Sequence, residues 1–290
     1  MDLSDQDLLK ITVFQRNEIT EACIYRKLAS IEKDTANRTV LGRIADDEER
    51  HYHQWKELTG KDIPPDRWSV LKYYWASRVL GVTFGIRLME KGEAGAQQLY
   101  EAVSSKVPNA GRIVDEETEH ENLLLNMLDE ERLKYVGSVV LGLNDALVEL
   151  TGALAGLTFA LQNTSLIALT GSITGIAAAL SMAASEYLST KAEKNEQSPL
   201  KAAAYTGTAY VITVVALIMP YLVLESFWIA LSCTLATAVV IIAGFNYYIS
   251  VARNLSFKRR FAEMCGLSMG VAALSFGLGF VLRRVWGIEF

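Results

Sequence analysis

The apolar residues of this chain follow two patterns, and the change between them falls near Leu133–Gly137. After it come five long apolar runs, about Val139–Leu161, Leu166–Leu188, Ala203–Leu224, Phe227–Ile249 and Ala262–Leu282. Each is long enough to cross a hydrocarbon core of about 30 Å. Before it, apolar positions recur at helical spacing inside shorter, charge-rich stretches. Ser4 or Asp5 is placed to cap a first helix to about Ser30, with Ile11, Phe14, Ile19, Ala22, Cys23 and Leu28 along it. Asp34 is placed to cap a second helix to about Leu58, closed by Gly60 and Pro64-Pro65. A third stretch reads as one helix from about Ser69 to Ser104, and a fourth from near Pro108 to Asp129-Glu130-Glu131-Arg132. The third opens on an apolar, aromatic segment holding Trp68, Tyr73, Tyr74, Trp75 and Phe84, which Lys72, Arg78 and Arg87 disqualify as a span. It fits either a helix of the bundle core or one resting on the membrane surface or the membrane domain. The pattern thus predicts an all-α chain. Residues 1–133 form a four-helix bundle, and residues 134–290 a membrane domain of five transmembrane helices.

Charge follows the same division. The net charge of −5 splits into 25 acidic against 19 basic residues over 1–134, and 8 against 9 over 135–290. No basic footprint for nucleic acid is present. Cationic residues collect at Arg132 and Lys134, at Lys191, Lys194 and Lys201, and at Arg253, Lys258, Arg259 and Arg260. The other two connections carry none. By the positive-inside rule the N-terminus is cytoplasmic and the C-terminus outside, with Arg283 and Arg284 on the unexpected side. The acidic start, Met1-Asp2-Leu3-Ser4-Asp5, lacks the apolar core of a signal peptide, so the first domain is expected in the cytoplasm. Cys23, Cys233 and Cys265 stand apart from one another and suggest neither a disulfide framework nor a zinc knuckle.

The bundle carries a repeated chemical pattern. Glu48 and His51 form a Glu-x-x-His, as do Glu117 and His120, and residues three apart share a helix face. Glu18 precedes Glu48 by 30 residues and Glu90 precedes Glu117 by 27, intervals that let each helical hairpin return its second acid to the level of its first. Two Glu-x-x-His pairs plus one Glu from each of two other helices is the ligand set of a di-iron carboxylate bundle. Taken singly, each of these acids also reads as a solvated surface group.

With these residues in place, the first 133 residues resemble the rubrerythrin branch of the ferritin-like family. The resemblance implies that Glu18, Glu48, His51, Glu90, Glu117 and His120 ligate iron, with Glu93 as an additional carboxylate one turn after Glu90. Rubrerythrins usually carry a Cys-x-x-Cys rubredoxin module that supplies electrons. This chain has none, which argues against self-contained peroxide reduction.

The membrane half holds residues that a plain anchor does not need. Asn144, Asp145 and Glu149 lie in the first span, and Met182 and Glu186 in the second with Ser181 and Ser185 beside them. Asp145/Glu149 and Met182/Glu186 are i, i+4 pairs, so each makes one polar stripe. Intramembrane carboxylates are costly and mark ion or proton pathways, although Glu186 lies near enough to a span end to reach the interface instead. Carboxylate with thioether suits a divalent transition metal better than calcium or magnesium. Gly152-x-x-x-Gly156 and Gly171-x-x-x-Gly175 permit close helix approach, within one chain or between two.

Gly142-Leu143-Asn144-Asp145-Ala146-Leu147-Val148-Glu149 and Ser181-Met182-Ala183-Ala184-Ser185-Glu186-Tyr187, followed by Lys191-Ala192-Glu193, resemble the vacuolar iron transporter family over about Tyr135 to the end. The resemblance implies a homodimer whose pore is lined by the first two spans. It also implies proton-coupled efflux of ferrous iron, with Asp145 and Met182 in the pore and Glu186 near its cytoplasmic entrance. Eukaryotic members place a long Glu-rich cytoplasmic domain between the second and third spans, where this chain has only about Ser189–Lys201. The combination is similar to the prokaryotic membrane-bound ferritins, erythrin–transporter fusions of the cytoplasmic membrane. The expected protein is an exporter of Fe2+ or Mn2+ whose di-iron domain captures, oxidises or senses the metal. Its partners are metal ions, protons, lipid and a second copy of itself. The competing expectation is a membrane-anchored di-iron ferroxidase or peroxide reductase.

Overall fold

The computed structural model describes residues 4–93, 107, 110–126, 135–193 and 197–286; the side chains of 90, 92–93, 110, 125–126 and 286 are outside that description. Every regular element among the described residues is an α-helix. The chain divides into two compact units, one of residues 1–130 with 251–254 and the other of residues 131–250 with 255–290.

The first unit begins with two long helices, α1 (Asp5–Ile31) and α2 (Thr35–Thr59), packed side by side. Ser4 caps α1 through a reciprocal capping box with Asp7, and Asp34 caps α2 by accepting from the Asn37 N–H. Gly60 ends α2 in the left-handed region at φ 65°, where a side chain would be strained.

The third stretch departs from the single helix that its sequence predicts. It breaks at Gly81 into α3 (Arg67–Leu80) and α4 (Val82–Glu93). Gly81 adopts φ 105°, ψ 150°, a conformation open to glycine and closed to helix. The two helices fold onto each other, and a Cβ on Gly85 would stand 2.9 Å from the Cβ of Ser77. Gly85→Val is therefore expected to destabilise this unit by about 2 kcal/mol, read as an earlier thermal transition of the full chain. The fourth helix is α5 (Ala110–Asn126); its expected continuation to Arg132 lies outside the described residues.

Two apolar clusters fill the unit, one at each end of the helices. Ile24, Tyr25, Leu28, Leu41, Ile44, Val82, Ile86, Met89 and Leu124 make one. Ile11, Phe14, Trp55, Val107 and Ile113 make the other. On α1, α2 and α5 alike, the sequence between these clusters is where Glu18, Glu48/His51 and Glu117/His120 fall. A polar layer is held between two apolar ones.

The second unit contains five helices long and apolar enough to cross a membrane: α6 (Val136–Leu161), α7 (Thr164–Ala192), α8 (Pro199–Val223), α9 (Phe227–Ala252) and α10 (Phe257–Trp286). They share one core around Leu147, Leu150, Leu154, Tyr210, Leu217 and Ile242. Helix α6 is its centre, packed against α7, α8 and α10. Added Cβ atoms on Gly152 and Gly156 would meet α10, and on Gly171 and Gly175 would meet Leu154, Ile218 and Val214, so both small-residue motifs pack helices within this chain. Buried hydroxyls tie neighbouring helices to backbone carbonyls. Thr206 donates to Ser138 O at 2.9 Å, Ser268 to Leu147 O at 2.5 Å and Thr234 to Leu217 O at 2.9 Å. The last of these carbonyls belongs to the turn of α8 that precedes Pro220. Arg283 donates to Phe159 O near the C-terminal end of α6, a partner that accounts for a cation on the unexpected side.

Candidate functional site

In the first unit, one ligand atom from each of Glu18, Glu48, His51 and Glu117 lies within 4.8 Å of the others. The pairing follows from helix geometry. Glu48 and His51 sit one turn apart on the inner face of α2, Glu18 faces them from α1, and α5 brings Glu117 and His120. Glu18, Glu48, His51 and His120 are buried; Glu117 is partly open. His51 points Nδ1 at the acids, 3.3 Å from Glu48, 3.4 Å from Glu117 and 3.7 Å from Glu18. His120 points Nδ1 at Glu48 at 3.1 Å. Glu90 and Glu93 fall in the last turn of α4, and their side chains lie outside the described residues.

Both imidazoles turn their other nitrogen outward onto a carboxylate. His51 Nε2 lies 2.7 Å from Glu116, and His120 Nε2 lies 3.1 Å from Asp47. The arrangement is reciprocal: the acid just before each Glu-x-x-His serves the histidine on the opposite helix. An outer carboxylate fixes which nitrogen carries the proton and leaves Nδ1 free to ligate. Arg50 pairs with both Asp47 and Glu116, and Arg112 adds a second cation to Glu116. Burial would push the Glu116 carboxyl up, but His51, Arg112 and Arg50 outweigh it and bring it down to about 2. Burial likewise opposes ionisation of Asp47, and Arg50 with His120 outweighs it. A further support is Trp55, whose indole N–H donates to Glu18 at 3.0 Å. Sequence reading singled out neither the outer acids nor Trp55. The signal for the acids was present, as an acid immediately before each Glu-x-x-His. For Trp55 there was none, because its partner is on another helix.

The inner acids show what the layer requires. Burial, then the charge of Glu117, raises the Glu48 carboxyl to about 8 against the pull of the two histidines. Burial also raises Glu117. His51 and His120 are opposed by burial, yet the surrounding acids hold both above their ordinary value. Without metal the layer balances its charge by keeping protons. Three carboxylates and one imidazole around a common point are a donor set that a divalent transition metal fits, since the cation replaces those protons.

Glu48, Glu117, His51 and His120 all hold protons more tightly folded than unfolded, so metal-free stability must fall as pH rises. Glu48 sets the window from about 4.5 to about 8, and the histidines extend the fall above 6.5. The lowered Asp47 and Glu116 act only below that range. Thermal melting of chelator-treated full-length protein is expected to shift down between pH 5 and pH 8. With saturating metal the trend reverses, because binding needs the deprotonated ligands.

In the second unit, Asp145 and Glu149 lie one turn apart on α6. Tyr210 of α8 donates its phenol to Glu149 at 3.2 Å. Glu186 of α7 accepts from Ser138 of α6 at 2.5 Å. Met182 packs against the shared core one turn before Glu186. The approach of α8 to α6 is close because position 142 is glycine: a Cβ there would meet Thr206 O at 2.5 Å. Glu149 is exposed on a helix long and apolar enough to lie in lipid. On α7, Thr174, Ala177, Ser181 and Ser185 are exposed as well. A carboxylate in that position needs a polar neighbour or water, not acyl chains.

Residues 136–197 match the VIT family. The matched segment covers α6, α7 and all but the last residue of the connection to α8, and so contains Asp145, Glu149, Met182 and Glu186. No curated protein and no solved structure matches the chain. The family match and the five apolar helices support an integral membrane protein of the VIT type that moves metal ions.

Proposed function

We propose that the protein exports ferrous iron or manganese from the cytoplasm in exchange for protons, and that its N-terminal bundle is a di-iron, ferritin-like domain that handles the same metal. The observation that carries the reading is the pair of intramembrane acids Asp145 and Glu149 on the helix that matches the VIT family. Deprotonated carboxylates bind a divalent cation and protonated ones release it, so a proton gradient drives exchange at one site. Tyr210 orients Glu149, and Ser138 holds Glu186 at the end of α7 nearest the cationic connection. Met182 supplies a soft thioether, which favours a transition metal over calcium or magnesium.

The exposed Glu149 and the small, hydroxyl-bearing face of α7 support a homodimer in which a second copy covers them and the pore runs between subunits. In the bundle, Glu18, Glu48, His51, Glu117 and His120, together with Glu90 and Glu93, would hold the metal. The charge-balanced, protonated inner layer supports that assignment. Bound iron would supply redox chemistry there. The protein contributes buried acids, two oriented imidazoles and a ring of outer acids held by Arg50 and Arg112. The cationic connections support a cytoplasmic N-terminal unit.

The test is Fe2+ and Mn2+ uptake into liposomes holding the full chain, with and without an acid-inside pH gradient. Uptake accelerated several-fold by the gradient supports the proposal; uptake indifferent to the gradient contradicts the proton coupling. Tyr210→Phe is expected to slow uptake a few-fold without changing the melting temperature, because it loosens Glu149 and leaves its charge in place.

A further inference from the structure

Helix α3 presents an apolar face that the bundle does not use. Trp68 is 81 % and Trp75 56 % exposed, and Leu71 and Val79 are exposed beside them. At about 100° per residue these four fall within one narrow stripe, opposite the buried Val70 and Ser77. Trp68, Leu71, Lys72 and Trp75 frame a shallow open hollow on this face. Lys72 flanks the stripe on one side, Arg67 and Arg78 on the other, and all three are exposed. The helix contains no acidic residue; Asp66, its N-cap, is occupied by the Trp68 N–H and the Ser69 hydroxyl.

We propose that this face of α3 docks onto the anionic surface of the bilayer, with both indoles at headgroup depth and the three cations on lipid phosphates. The charge pattern selects the occupant. Tryptophans between cations, with no acid among them, are what an interfacial helix needs, while a water-facing helix has no use for two open indoles. At 14 residues α3 is too short to span. Tethering supplies the proximity. From Asn126 to Val136, where the first apolar helix begins, the chain reaches at most about 35 Å even fully extended, so α3 meets the membrane at high effective concentration. The consequence is that the metal layer is held at the membrane surface.

The experiment uses the full chain with Cys23, Cys233 and Cys265 replaced by alanine and a nitroxide on Leu71→Cys, in nanodiscs with 30 % anionic phosphatidylglycerol in phosphatidylcholine. Both leaflets are then anionic, so the result does not depend on which side the N-terminal unit occupies or on whether metal is transported. The expected spectrum is immobilised, with oxygen more accessible to the label than a water-soluble nickel chelate. A label on the exposed Arg38→Cys of α2 gives the opposite ratio. Lys72→Glu/Arg78→Glu, or pure phosphatidylcholine, is expected to move the Leu71 label to the Arg38 value. A mobile, chelate-accessible Leu71 label in anionic nanodiscs overturns the proposal, and so does dipolar broadening between labels, which would show a second copy on this face. Quenching of the unlabelled protein by brominated lipids, lowered in Trp68→Ser/Trp75→Ser and unchanged by it if the proposal is wrong, tests the same contact without cysteine substitution.

Discussion

Asp145→Asn is expected to lower metal flux at least tenfold while the protein still inserts and melts as the wild type does. The change keeps shape and hydrogen-bonding capacity and removes only the charge that a divalent cation needs. Asp145 is partly exposed and shares a stripe with Glu149 at the centre of the best-packed helix of its unit. Loss of an intramembrane carboxylate removes a desolvation cost of a few kcal/mol, so a fall in stability is not expected. Flux measured in liposomes, with the melting temperature of the same preparation as control, separates a lost pathway from a lost fold.

The second large effect belongs to Glu48. Glu48→Gln is expected to abolish metal-induced stabilisation of the N-terminal unit and to leave the metal-free protein at pH 8 no less stable than the wild type. Wild-type Glu48 is buried with its carboxyl raised to about 8, so ionising it is a burden that metal binding relieves. Metal at a hundredfold excess over its dissociation constant stabilises the folded state by about 2.7 kcal/mol, a shift of several degrees in melting temperature. The amide of the variant still accepts from one histidine through its oxygen and can donate to the neutral Nδ1 of the other, and the anion between them is lost. A merely structural Glu48 would show the reverse, a lower melting point without metal and an undiminished response to it.

What could be read in advance followed from how local each signal was. Helix caps at Ser4, Asp34 and Gly60, and five helices long and apolar enough to cross a membrane, depend on neighbouring residues and long apolar runs. Each Glu-x-x-His could be found for the same reason, since residues three apart meet on any helix. The break at Gly81 was missed because a lone glycine is tolerated within a helix; what turns the chain there is the packing of Gly85 on Ser77, four residues beyond. The outer acids Asp47 and Glu116 looked like the rest of a charge run until the fold paired each with a histidine 73 or 65 residues away. Tyr210 gave no signal at all. An aromatic residue in a span is ordinary, and only the crossing of α8 over α6 at Gly142, one turn before Ala146, sets its phenol against Glu149, 61 residues distant.

The measurement that tests the central claim most directly follows metal entry and lumenal pH together, in liposomes carrying the full chain and an acid interior. Metal entry accompanied by proton exit, abolished by Asp145→Asn and only slowed by Glu48→Ala/Glu117→Ala, is the predicted result. Wild-type liposomes that take up no more metal than empty ones, while the protein oxidises ferrous iron at the bundle, would contradict it and leave a di-iron enzyme on a membrane anchor.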